Sequence, residues 1–140
     1  QTQFAEFESI VHTKIFNNEI LTCDDFCNIY YDLNKKYYGD NVVSDDIIKL
    51  EWARIPHFYN SFYVYKYATG ISIACRIASD ILNNKDDAVA NYMKFLSSGG
   101  CDYPLEILKS VGIDIENDST IDDALDMFSS TLKEFKELIK

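Results

Sequence analysis

Glycine and proline are scarce in this 140-residue chain, at 5 and 2 residues. An all-β sandwich or barrel needs turn chemistry every 8–12 residues or so, and that punctuation is missing. Cysteine is sparse too: Cys23, Cys27, Cys75 and Cys101 are too few and too irregularly spaced for a secreted disulfide framework. Reduced thiols in a cytoplasmic protein are the expected state. Positive charge is in deficit, with 13 Lys+Arg against 23 Asp+Glu and a formal net charge of −10. Nucleic acids and anionic membranes are bound by clustered Lys and Arg. Here Lys35-Lys36 and the scattered Lys133, Lys136 and Lys140 all have acids nearby, which argues against both. Long hydrophobic runs are lacking as well: the stretch from Ala68 to Ala74 and onward is interrupted by Arg76 and Asp80, too short for a bilayer span. The chain opens Gln1-Thr2-Gln3, with neither a methionine nor a targeting pattern, as expected of a cut inside a longer protein.

What is present is apolar and aromatic mass. Hydrophobic residues are 47% of the chain and aromatics 14%, enough to exclude intrinsic disorder and to bury one real core. The periodicity is helical throughout and predicts an all-α bundle of about seven helices in a single domain, residues 1–140. Phe4, Phe7, Ile10, Val11 and Ile15 place a first helix up to about Phe16. Thr22 caps a second, with Asp24 and Asp25 in its first turn, running to about Tyr38 before Gly39-Asp40-Asn41. Ser44 or Asp45 caps a short piece through Leu50. Ile55-Pro56 then sets His57 at a loop-to-helix junction. Asn60 or Ser61 caps a long helix to about Leu82, broken by Asn83-Asn84. A further helix spans about Asp87 to Leu96 and stops at Ser97-Ser98-Gly99-Gly100. Pro104 opens a short helix ending near Gly112. Asp118, Ser119 or Thr120 caps the last, whose Ile121, Leu125, Phe128, Leu132, Phe135 and Leu138-Ile139 form one apolar stripe.

The least ordinary region is Phe58 to Tyr67, where six aromatics, four of them Tyr, fall within ten residues. A buried Tyr must find a partner for its hydroxyl, so a core built for packing alone favours Leu and Ile. At about 100° per residue, Tyr59, Tyr63 and Tyr67 share one helical face, and Phe58, Phe62 and Tyr65 a neighbouring one. Two readings stand: a cleft of phenols beside His57 that hydrogen-bonds a polar, extended ligand, or helix-packing surface with hydroxyls reaching water. His57 itself is open between a structural and a functional role. Gly70, Ala74 and Ala78 recur at four-residue steps, as where another helix approaches closely. His12 reads as structural, and Cys23 and Cys27, though spaced i, i+4, as buried thiols rather than half of a zinc site.

Arg54-Ile-Pro-His-Phe-Tyr59 followed by Phe62-Tyr-Val-Tyr-Lys-Tyr-Ala-Thr-Gly70 closely resembles the C-terminal signature of oligoendopeptidase F, a thimet-type zinc peptidase. Phe95-Leu-Ser-Ser-Gly-Gly100, Pro104-Leu-Glu-Ile-Leu-Lys109 and Val111-Gly-Ile-Asp114 extend the likeness over essentially the whole chain. The resemblance implies an all-helical metallopeptidase whose lobes enclose a channel for short peptides. In that family an H-E-x-x-H helix and a later Glu hold zinc. No H-E-x-x-H occurs here, so the zinc would belong to elements upstream of Gln1, and neither Glu6 nor Glu8 is the missing ligand. The resemblance maps His57 to a substrate-binding histidine and Tyr65 to a phenol that donates to the tetrahedral oxyanion. Tyr59 and Tyr63 follow as weaker substrate-binding candidates. Phe62 stands where some relatives carry Tyr. The implied partners are oligopeptide substrates and the N-terminal remainder of the same enzyme; the segment by itself is expected to bind no zinc and to be inactive. The competing readings are a free-standing helical peptide-binding module and a helical assembly domain, both without catalysis.

Overall fold

The computed structural model describes residues 1–117 and 119–140. Among them the regular structure is six α-helices and two 3₁₀ segments, with no strand. The chain, read above as one helical domain, divides into two compact units, Gln1–Ala68 and Thr69–Lys140.

In the first unit, α1 (Thr2–Phe16) and α2 (Cys23–Tyr38) pack through the apolar stripes their periodicity lays down. Phe7, Val11, Tyr30 and Leu33 form the buried core, and Phe4, Phe26, Trp52 and Phe58 close on it. Phe7 sits at its centre, its ring 5.3 Å from Tyr30 in an edge contact and 5.3 Å from Phe58. The start of α2 has the cap its sequence announces: Asp25 N–H donates to Thr22 Oγ1 at 3.3 Å, and Thr22 N–H donates back to Asp25 Oδ2 at 2.7 Å. Its end is a Gly39 with φ +70°.

Two local expectations fail here. The piece after Ser44 is a 3₁₀ segment, Asp46–Arg54, four residues longer than expected and without a side-chain cap. The Ser44 hydroxyl instead donates to buried Asn34 Oδ1 at 2.8 Å. A second 3₁₀ segment, Pro56–Tyr59, follows, and α3 begins only at Tyr65 (Tyr65–Leu82) rather than at Asn60 or Ser61. The cause is Phe62, whose φ of +58° lies in the left-handed region and cannot belong to a right-handed helix.

The second unit takes the rest of α3 with α4 (Ala88–Ser98), α5 (Pro104–Lys109) and α6 (Ser119–Leu138). Its core is Leu108, Val111 and Ile113, with Ile73, Ile77, Phe95 and Ile115 against it. Gly112, at φ +80°, turns the chain between Val111 and Ile113. Arg76 links two elements, donating to Asp80 at 3.1–3.2 Å and to Asp123 on α6. Ser119 and Thr120 lie inside α6, where the Thr120 hydroxyl donates to the Asp114 carbonyl at 3.1 Å. Asp118, the other candidate cap, is outside the described residues. Among the described residues, a Cβ built at Gly70 meets nothing within 4 Å, and Tyr92, Phe95 and Leu96 of α4 stand across from the small-residue face. With Ala74 and Ala78, Gly70 lines an open apolar groove. The α6 stripe is likewise uncovered, from 38% exposed at Leu132 to 78% at Leu138.

Candidate functional site

The left-handed turn at Phe62 reorganises the tyrosine row. Because α3 starts at Tyr65, Tyr59 and Tyr63 are not on a helical face with Tyr67. Tyr59 ends the second 3₁₀ segment and is 86% exposed. Tyr63 precedes α3, half-buried, and the corner folds it back onto His57: the rings stack with centroids 5.6 Å apart and planes inclined by 26°. Tyr67, in the first turn of α3, completes a triangle. Its ring stands edge-on to His57 at 5.8 Å and to Tyr63 at 5.8 Å, and its hydroxyl lies 3.3 Å from His57 Nε2. Lys66 Nζ rests over the opposite partner, 4.6 Å from the Tyr63 centroid.

The structure thus brings His57 and Tyr63 together and adds Tyr67, which the sequence shows in the row but does not single out. Tyr65 opens α3 and is 50% exposed. A hydrogen bond with Tyr63, and then partial desolvation, hold the Tyr67 phenol above its ordinary value. Tyr67 therefore stands as an un-ionised hydroxyl donor beside the His57 ring, on a surface open to solvent. Such an arrangement can offer hydrogen bonds to backbone carbonyls of an extended peptide.

The acids next to this region are already engaged. The Glu6 carboxylate accepts from Lys36 at 2.6 Å and from Tyr37 at 2.8 Å. Glu8, 4% exposed, accepts from the Phe62 amide at 2.7 Å. His12 lies against the Phe62 ring, centroids 4.6 Å apart. All four cysteines are unpaired thiols. Among the described residues no three His, Cys, Asp or Glu side chains converge as a metal site would require. The residues present do not fit a catalytic zinc.

Against this geometry the relationships are clear. Residues 1–127 match the sequence model of peptidase family M3, and the chain belongs to that family. It is similar to the oligopeptidase PepF of Bacillus subtilis (strain 168), 49% identical over 139 residues, covering 99% of this chain and 21% of that protein. An oligoendopeptidase F homolog of Borreliella burgdorferi is 44% identical, covering 100% of this chain and 24% of its own length. The crystal structure of oligoendopeptidase-F from Enterococcus faecium superposes with a TM-score of 0.94 at 46% identity, over 99% of this chain and 26% of that one. The chain therefore spans about a fifth to a quarter of the length of the relatives it matches.

Proposed function

We propose that this chain is the C-terminal segment of a zinc oligoendopeptidase of the F type, and that it supplies part of the substrate-channel wall together with hydrogen-bond donors for the peptide being cleaved. The observation that carries the reading is the His57–Tyr63–Tyr67 cluster, three polar rings gathered at the surface and held in mutual contact. His57 and Tyr63 bind substrate by donating to its backbone. Tyr65 donates to the carbonyl oxygen as negative charge develops on it, the step in which a fixed donor contributes most. Tyr59, exposed and outside the cluster, keeps at most a peripheral contact with substrate.

The metal belongs to residues outside this chain, and zinc is the cofactor the family relationship favours. The segment alone neither holds it nor cleaves peptides. Its partners are oligopeptides and the remainder of the same polypeptide, whose contact accounts for the bare α6 stripe and the open Gly70 groove. The unpaired thiols favour a cytoplasmic location.

The test is kinetic. In the full-length, zinc-loaded protein, His57→Ala raises KM for a fluorogenic oligopeptide, and Tyr65→Phe lowers kcat. Full activity of both variants would overturn the assignment. Peptide cleavage by the purified 140-residue chain would overturn the division of labour.

A further inference from the structure

Glu8 is a buried carboxylate that the proposed function does not use. Glu is among the residue types least often buried, and here it is 4% exposed on α1. Its Oε1 accepts from the backbone amide of Phe62, 54 residues along the chain, at 2.7 Å. Phe62 in turn holds φ +58°, a conformation that a bulky L-residue keeps only when its surroundings impose it. His12, one helical turn beyond Glu8 on the same face of α1, packs against the Phe62 ring at 4.6 Å. One helix therefore grips Phe62 at two points, by its amide and by its ring.

That residue is the corner of the site. On one side the chain leaves His57, whose carbonyl accepts from Asn60 N–H at 3.0 Å; on the other it passes through Tyr63, which donates from its N–H to Asn60 at 3.1 Å, and through fully buried Val64 into α3. The His57–Tyr63 stack spans this corner. A Phe62 released to extended or right-handed backbone rotates Tyr63 away from His57 and moves the start of α3, where Tyr65 stands. We infer that Glu8 is a positioning residue: its carboxylate clamps the Phe62 amide and so sets the placement of Tyr63 and Tyr65 relative to His57. The kinetic consequence rests on the function proposed above, whereas the structural one does not.

The experiment compares Glu8→Gln, Glu8→Ala and Glu8→Asp in the full-length, zinc-loaded protein, reading amide hydrogen exchange at residues 60–64 beside kcat and KM. Gln keeps an acceptor oxygen at the same reach, so the Phe62 amide stays protected and kcat stays within about threefold of wild type. Ala removes the acceptor: protection is lost, kcat falls about tenfold or more with a smaller change in KM, and metal content is unchanged. Asp, one methylene short, gives the same loss if the Ala chain does not fold. Adding Phe62→Gly to Glu8→Ala restores part of kcat, because glycine takes φ near +60° without strain. An amide that stays protected in Glu8→Ala, a freed amide with wild-type kcat, or a Glu8→Gln chain as impaired as Glu8→Ala each overturns the clamp. If the wild-type protein cleaves no peptide, the proposed function fails, and the exchange data still decide the clamp.

Discussion

Replacing Tyr30 by Phe removes one hydroxyl and leaves a ring in place. Tyr30 is fully buried, and its hydroxyl donates to Glu51 Oε2 at 2.6 Å. A hydrogen bond to a charged acceptor contributes about 1.5–3 kcal/mol to stability. Glu51 retains Arg54 as a second partner, so its carboxylate is not orphaned, and the cost falls at the lower end, about 1.5–2 kcal/mol. The edge contact with Phe7 persists, so the several kcal/mol of a large-to-small core substitution do not apply. Native-state hydrogen exchange at the inner amides of α2 should therefore quicken roughly 10- to 30-fold. The difference also has a pH signature. Burial, and then the Glu51 hydrogen bond, push the Tyr30 phenol well above its ordinary range, so the folded state requires the neutral hydroxyl. Its contribution is complete below the unfolded value of about 10 and is lost as pH rises beyond it. The advantage of Tyr over Phe should stay level up to about pH 10 and shrink above it. A cost below about 0.5 kcal/mol, or a difference indifferent to alkaline pH, refutes the reasoning.

Thr22→Ala should destabilise α2 by about 1 kcal/mol, measured as faster exchange in its first turn, because it deletes half of the capping box. Asp25, held below the ordinary carboxylate range by the Thr22 hydroxyl and then its amide, should lose its contribution as pH falls through that range, an acid dependence that Thr22→Ala weakens. Gly112→Ala meets no steric obstacle but must adopt φ +80°, so a cost of about 1–2 kcal/mol is expected in urea denaturation. Arg76→Ala leaves Asp80 with Lys85 alone and Asp123 without its guanidinium. Burial opposes ionisation of Asp80, yet hydrogen bonds from Lys85 and Arg76 keep its carboxyl below the ordinary range. Stability should therefore be lost as pH falls through the carboxylate range, and Arg76→Ala should flatten that loss.

Where local signals decide the structure, the sequence was a good guide. The Thr22 cap, the Gly39 and Gly99 helix ends, the Pro104 start and the period of α1 and α2 are short-range features, and the elements stand where they point. Local signals mislead where a distant contact overrides a local preference. Asn60 and Ser61 are good caps, and a helix from there would align Tyr59, Tyr63 and Tyr67. The buried Glu8, 54 residues away, instead pins Phe62 in a left-handed turn. No pattern within ten residues of Phe62 contains that bond. Its consequence is a cluster that keeps His57 and Tyr63, recruits Tyr67 and leaves Tyr59 in solvent. A Glu on the apolar side of α1, between Phe7 and Val11, was the one available hint. The uncovered face of α6 and the open groove at Gly70, Ala74 and Ala78 escape prediction for another reason: periodicity shows that a face is apolar, and not what covers it.

The most direct test of the central claim is steady-state cleavage of a fluorogenic oligopeptide by the full-length, zinc-loaded protein carrying Tyr65→Phe. Loss of one oxyanion donor should lower kcat about 10²- to 10³-fold, with KM nearly unchanged. A kcat equal to wild type would contradict the assignment of a transition-state donor to this segment.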